Sequence, residues 1–188
     1  MSFRTEDEMS SRFLEALVPK IERLGAWYLR EIDSGIGIPD YLLVITSGRA
    51  ISYIVGVELK LRNWRRGLLQ AFRYRNFTNE AYVVIDRDHI EPALANRQHF
   101  LRAGIGLASF DEGGVFEIHV VASPGKPFSK LLAERITVRV SEALSDFDWD
   151  PEMTSYEFVR TNSRRRSLIG FREYLAKDAL STFEAIKV

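Results

Sequence analysis

The chain has no cysteine among its 188 residues, which excludes both a disulfide framework and a thiolate zinc site. Its three histidines show no metal-ligand spacing, so we expect surface or packing roles for them. No apolar run approaches the length of a membrane span, and the start of the chain is too acidic and polar for a secretion signal. These absences favour a cytoplasmic protein that has no membrane partner.

The chain also lacks a net charge, since 26 basic residues balance 26 acidic ones, so overall charge does not indicate a nucleic-acid partner. The distribution is more informative. Residues 141–156 carry acids without a base, and residues 160–172 carry arginines without an acid. These segments could pair with each other, or the basic one could contact phosphate. Both alternatives stay open.

Three charged residues stand in apolar stretches that read as strands. Asp40 lies in the first stretch, residues 37–45, where it opens the strand, and Glu58 and Lys60 lie near the end of the second, residues 51–61. Side chains alternate along a strand, so Glu58 and Lys60 should share one face while the apolar residues that alternate with them enter a core. The pair could instead lie exposed on a sheet edge.

A hairpin would bring the two acids together. Residues 46–50 are short enough to connect the two strands, which would place Asp40 opposite Glu58. Two carboxylates that share a small volume raise each other's proton affinity unless a cation lies between them. A hard divalent ion, Mg²⁺ above all, suits such oxygen ligands, and the Leu59 backbone carbonyl could supply another.

These residues resemble the motif of the PD-(D/E)XK nuclease superfamily. The motif stands here as Pro39-Asp40, seventeen intervening residues, and then Glu58-Leu59-Lys60. The resemblance implies a restriction-endonuclease-like α/β fold, in which a mixed central sheet is flanked by helices. It also implies a Mg²⁺ site, where Mn²⁺ could substitute, formed by Asp40, Glu58 and the Leu59 carbonyl.

The next segment, residues 63–78, predicts a basic helix with Asn63 as its N-cap. We expect one apolar face to pack on the sheet, formed by Trp64, Leu68, Ala71 and Phe72. Another face carries Arg66, Gln70, Arg73 and Tyr74. We expect these residues, together with Arg62 just before the helix, to bind nucleic acid. The glutamine and the tyrosine four residues later resemble a motif of one exonuclease-like branch of the superfamily.

An amino-terminal helix could add another acid. Apolar residues recur at helical spacing over residues 13–24, with Ser10 and Ser11 as candidate caps, and Pro19 predicts a kink or two short helices. Members of the superfamily often use a glutamate of the first helix as an extra metal ligand. The resemblance therefore makes Glu15 or Glu22 a candidate, and Asp33 is a further candidate.

The rest of the chain completes the predicted fold. We expect strands at residues 81–86, 105–110 and 115–121, and helices at 88–103, 129–144 and 168–185. The hypothesis is thus a nuclease-like core, residues 1–122, with a helical extension, residues 123–188, packed on it.

Taken together, the residues predict a Mg²⁺-dependent nuclease that hydrolyses phosphodiester bonds, with DNA as the expected substrate. Asp40 and Glu58 would hold the ion, and Lys60 would orient the attacking water or stabilise charge on the phosphate. The alternative is a nucleic-acid-binding or assembly protein that retains the fold without catalysis. The chain could act alone or as a homodimer.

Overall fold

The computed structural model describes residues 2–23, 26–47 and 50–145. Five helices and six strands lie in this part of the chain, together with a 3₁₀ turn at Arg87–His89. In chain order they are α1 (Glu6–Arg23), β1 (Ala26–Arg30), β2 (Tyr41–Ser47), β3 (Ala50–Lys60), α2 (Trp64–Tyr74), β4 (Glu80–Asp86), α3 (Glu91–Leu94), α4 (Arg97–Ala103), β5 (Gly106–Phe110), β6 (Phe116–Val120) and α5 (Lys130–Ser145).

The six strands form a single mixed sheet in the order β1-β2-β3-β4-β5-β6. Strands β3, β4 and β5 are parallel, whereas β1, β2 and β6 join by antiparallel pairing. Helix α2 makes the crossover from β3 to β4, and α3 and α4 make the one from β4 to β5. The predicted α/β class, with a mixed central sheet and flanking helices, is confirmed.

Each face of the sheet has its own buried cluster, and strand β3 contributes to both. Val57 and Leu59 pack in one cluster with the apolar face of α1. The other cluster joins the sheet to the buried residues of α2 and α5. Glu58 and Lys60 alternate with Val57 and Leu59 along β3 and therefore lie on this second side, against α2, as strand alternation predicts.

Helix α1 begins earlier than the sequence indicated. Thr5 caps it, because its side-chain oxygen accepts the backbone N–H of Glu8 at 3.1 Å, so the expectation of caps at Ser10 and Ser11 was wrong. One helix continues from Glu6 to Arg23 through Pro19. Two short helices, one of the two predicted alternatives, are therefore not formed.

Two further elements differ from prediction. Strand β1, which pairs with β2, was not predicted, because the strand is only five residues long and only partly buried. The single helix expected at residues 88–103 is divided, since Asn96 has a non-helical backbone (φ −113°, ψ 18°) and its side chain bonds back to the Pro92 carbonyl. Ala93 of α3 and Phe100 of α4 are both buried.

Helix α5 corresponds to the helix predicted at residues 129–144, and its Ile136, Val140 and Leu144 are buried in the core. The helix predicted at residues 168–185 lies outside the described residues. So do most of the acidic segment and all of the basic one. Within the described ranges, no helix combines the length and the apolar character needed to cross a bilayer.

Candidate active site

Asp40 and Glu58 meet across the hairpin that joins β2 and β3. Tyr41 pairs with Val57 in the antiparallel register, so the preceding Asp40 faces Glu58 one step further along. The backbone N–H of Leu59 donates to Asp40 Oδ2 at 2.6 Å, which fixes the aspartate carboxylate against β3. The hairpin and the convergence of the two acids are as the sequence predicted.

Lys60 completes the trio. Its Nζ lies 2.8 Å from Glu58 Oε1 and donates to the Leu59 carbonyl oxygen at 2.9 Å. Both charged side chains are buried, with 8% of the lysine side chain and 2% of the glutamate side chain exposed. Strand β3 is central in the sheet, so the alternative of an exposed edge pair is wrong.

Tyr74 holds the other oxygen of Glu58. Its hydroxyl donates to Glu58 Oε2 at 2.5 Å and also lies 3.0 Å from the Ile38 carbonyl oxygen. Tyr74 is 1% exposed, whereas Phe72 is 46% exposed, so these two aromatic residues of α2 take opposite positions from those predicted. Tyr74 therefore supports the site from inside the protein and presents no surface to nucleic acid.

Burial shapes the proton affinities of these groups. Burial, with the charge of Glu58 next in importance, raises the pKa of Asp40 to about 6. Burial and the same glutamate raise the pKa of Tyr74 well above its usual value, so its hydroxyl stays protonated and can donate. Burial opposes the charged form of Lys60, but the hydrogen bond and charge of Glu58 prevail and raise the lysine pKa.

The other side chains predicted to bind nucleic acid lie along α2 and just before it. Arg62, Arg66 and Arg73 are exposed, and Arg62 Nε donates to the His89 ring at 3.0 Å. Asn63 caps the helix as predicted, by accepting the Arg66 N–H. Gln70 is half-buried beside Tyr74, and its Oε1 is buried with no hydrogen-bond partner in the described part of the chain.

One base of this region serves the fold instead. Arg75 is 4% exposed, its guanidinium donates to the Thr78 carbonyl at 2.6 Å, and it stacks on the Phe128 ring. Its charge is thus turned inward. The exposed bases of this region are the remaining arginines, which include Arg65.

The acid that α1 brings to the trio is Glu6. Its Oε2 lies 3.4 Å from Lys60 Nζ. Glu15 points elsewhere, because it pairs with Arg12 at 2.7 Å on the surface, and Asp33 binds the Gly35 N–H and faces Arg139. The side chain of Glu22 is outside the described part of the structure.

Sequence reasoning missed two residues of this site. The acidic first turn of α1 was the signal for Glu6, but the helix start had been placed too late. Gly67 was also overlooked. A Cβ there would lie 2.8 Å from Val83 Cγ1 and 3.1 Å from Lys60 Cγ, so this glycine lets α2 approach β3, β4 and the lysine stem closely.

The donor set suits a hard divalent cation. Asp40, Glu58 and the Leu59 carbonyl supply only oxygens, and the charge of Glu58 adds to burial, the larger cause, in raising the pKa of Asp40. As the side chains stand, the described residues hold no group of three or more His, Cys, Asp or Glu positioned for a metal. The Lys60 ammonium lies between Glu6 and Glu58.

Comparisons with known proteins add little to this geometry. No protein-family model matches the chain, and no curated protein matches it either. One solved structure, described as a protein of unknown function from Silicibacter pomeroyi, is similar with 19% identity and a TM-score of 0.47. The similarity covers 76% of this chain and 93% of that one.

Proposed function

We propose that this protein is a Mg²⁺-dependent nuclease with a restriction-endonuclease-like fold, and that DNA is its substrate. The observation that carries the proposal is the meeting of Asp40 with Glu58 across β2 and β3, with the Lys60 ammonium on Glu58. Buried charges cost free energy unless they are paired, and buried ionisable groups cluster at functional sites. Two acids and a base at the end of a central strand fit the metal-assisted hydrolysis of an anion.

Each side chain has a defined part in the proposed reaction. Asp40 and Glu58, with the Leu59 carbonyl, would hold the cation, which when bound would polarise the scissile phosphate and lower the pKa of the attacking water. Lys60 would stabilise the negative charge that develops on the phosphate. The exposed Arg66 and Arg73 would position the backbone of the nucleic acid beside the trio.

A cleavage assay tests this proposal. We would incubate the purified protein with Mg²⁺ and labelled linear, circular, branched and single-stranded DNA and RNA, with and without EDTA. We expect cleavage that EDTA abolishes and that falls at least about a hundredfold in Asp40→Asn and Glu58→Gln, because each removes a charge that binds the ion. The matched control is Glu134→Gln, which changes an exposed carboxylate on α5 and should leave cleavage intact.

The same assay separates the rival function. Exposed arginines on α2 would also suit a protein that binds nucleic acid without cutting it. Such a protein would show salt-dependent binding that Arg66→Ala and Arg73→Ala weaken, and no cleavage with Mg²⁺ or Mn²⁺. That outcome, with the variants folded as judged by circular dichroism, would overturn the nuclease proposal.

A further inference from the structure

The Lys60 ammonium is enclosed by oxygens on three sides. Its Nζ lies 2.8 Å from Glu58 Oε1, 2.9 Å from the Leu59 carbonyl oxygen and 3.4 Å from Glu6 Oε2. Only 8% of its side chain is exposed. An ammonium held by two carboxylates and a carbonyl occupies the kind of position that a metal ion takes in an oxygen cage.

Two of these three oxygens are the ones that the proposed function assigns to the divalent cation. A divalent ion on Glu58 Oε1 and the Leu59 carbonyl would lie within a few ångströms of the ammonium if Lys60 did not move. Two cations so close in a partly buried site repel each other strongly. They therefore compete for the same oxygens.

We propose that Lys60 is the resident cation of the metal-free site, and that its ammonium must leave Glu58 and the Leu59 carbonyl when a divalent ion binds. This inference rests on the proposed function, because it concerns the same cation. It assigns Lys60 a role before any chemistry, since the lysine neutralises the acids in the absence of metal. It also makes the Lys60 ammonium available to a phosphate only after the ion has displaced it.

The neighbours of Glu58 favour an exchange at one oxygen. Tyr74 is a neutral donor on Oε2 and need not move for a cation to bind, whereas the charged Lys60 covers Oε1. The lysine stem is confined, because its Cγ lies against Gly67 of α2. The ammonium can therefore be displaced only by rotation about the outer bonds of the side chain, and its charge stays close to the site.

Removal of the competing charge should strengthen metal binding. We would measure the affinity for Mn²⁺ at pH 8 by electron paramagnetic resonance of the free ion, without nucleic acid, for the wild type and for Lys60→Met. We expect the variant to bind Mn²⁺ at least about tenfold more tightly, since the oxygens no longer hold an ammonium. The matched control is Lys126→Met. Lys126 is an exposed lysine of the loop after β6, and its neighbour Gly125 donates its backbone N–H to the Asn79 carbonyl. The control variant should bind as the wild type does.

A second measurement keeps the proposal testable if Lys60→Met folds poorly. In wild-type protein labelled with ¹⁵N-lysine, the Nζ resonance of Lys60 should shift as Mg²⁺ is added and should saturate with the metal-binding curve. The Lys126 resonance should not follow that curve. The exchange would be overturned if a folded Lys60→Met variant bound Mn²⁺ no more tightly than the wild type. It would also be overturned if the Lys60 Nζ resonance did not shift at saturating Mg²⁺.

These outcomes are distinguishable from a failure of the proposed function. A protein that cuts nucleic acid with Mg²⁺, but whose Lys60→Met variant gains no affinity, refutes the exchange alone. A protein whose variant gains affinity, but which cuts no nucleic acid, refutes the nuclease alone. If neither the wild type nor Lys60→Met binds Mn²⁺, the exchange is refuted, and the cleavage assay still decides the activity.

Discussion

At the scale of single residues, Tyr74 joins the two segments that carry the acids. Its hydroxyl bonds to Glu58 on β3 and reaches the Ile38 carbonyl, two residues before Asp40. It is thus a positioning residue, which acts on the cation only through Glu58 and the loop before β2. A hydroxyl on a buried carboxylate contributes about 1.5–3 kcal/mol to stability.

We therefore predict two effects of Tyr74→Phe. The free energy of unfolding should fall by about 1.5–3 kcal/mol, because Glu58 Oε2 loses its donor, and Mn²⁺ affinity should change as Glu58 loses its fixed orientation. Urea unfolding and Mn²⁺ titration measure the two. Tyr53→Phe is the matched control, since Tyr53 makes a similar buried bond to Glu80 at 2.7 Å, near the opposite end of β3. That variant should lose stability and keep its metal affinity.

Asp40 gives the site a pH dependence. The pKa of Asp40 is raised to about 6 from 3.8. Between these two pH values the folded, metal-free protein therefore keeps a proton on Asp40, whereas the unfolded chain has released it. The metal-free protein should therefore lose stability as the pH rises through about 6, with the opposite sign from a salt-bridged acid. Metal binding has the reverse requirement, because Asp40 must be ionised to act as a ligand.

We predict that Mn²⁺ affinity falls by up to about tenfold for each pH unit below about 6, since one proton competes with the ion. It should be nearly constant between pH 7 and 8. Mn²⁺ titrations from pH 5 to 8 check this, and urea unfolding of the metal-free wild type and Asp40→Asn checks the stability change. A metal affinity that is flat from pH 5 to 7 would contradict the assignment of Asp40 as a ligand.

At the scale of secondary-structure elements, the packing of α2 on the sheet depends on Gly67. Alanine there would improve helix propensity by about 1 kcal/mol, but its Cβ would lie 2.8 Å from Val83 Cγ1 and 3.1 Å from Lys60 Cγ. Overpacking in a core costs about 1–3 kcal/mol. Since Val83 is fully buried, we expect the overpacking to prevail.

Gly67→Ala should accordingly lower the free energy of unfolding by roughly 1 kcal/mol, because a mid-range overpacking cost of about 2 kcal/mol exceeds the propensity gain of about 1 kcal/mol. It should also reduce cleavage, because α2 must shift away from the lysine. Leu69→Ala is the control on the same helix, since Leu69 is 64% exposed and its truncation should change stability by less than about 0.5 kcal/mol. Equal stability of Gly67→Ala and the wild type would show that α2 has room to adjust.

The same elements show what the sequence could predict. Strands β2 and β3 and helix α2 carry local signals, in alternating apolar residues and the Asn63 cap, and each formed close to where it was expected. Tyr74 and Phe72 were exchanged because both are aromatic, and only the position of the sheet decides which enters the core. Glu6 was missed for a similar reason. The acidic helix turn that carries it was visible in the sequence, but its proximity to Lys60 is a tertiary contact across 54 residues.

At the scale of the whole molecule, the boundary predicted after residue 122 divides a shared core. Ile136, Val140 and Leu144 of α5 are each at most 1% exposed, in the same cluster as Trp64 and Ala71 of α2. Burial of such side chains contributes about 1.5–3 kcal/mol each. Their sum is comparable to the whole stability of a typical domain, about 5–15 kcal/mol.

We predict that a chain cut after Ala122 does not fold cooperatively. Removal of α5 would expose the apolar surface of the sheet and of α2 to water. Circular dichroism during heating, with 1-anilinonaphthalene-8-sulfonate fluorescence as a probe of exposed apolar surface, measures the result. A chain cut after Ser145 is the comparison, since it keeps α5. A sharp unfolding transition in the shorter chain would establish residues 1–122 as an independent domain.

The hairpin of β2 and β3 also bears on the order in which the protein assembles. Seventeen residues separate Asp40 from Glu58 within one hairpin, and Lys60 follows on the same strand as Glu58, so all three charges belong to one local unit. Contacts between residues close in sequence form sooner than the parallel pairing of β3 with β4, which must wait for a crossover helix. The nascent chain therefore need not bring two bare carboxylates together across a long loop. Their neutralising lysine arrives with them.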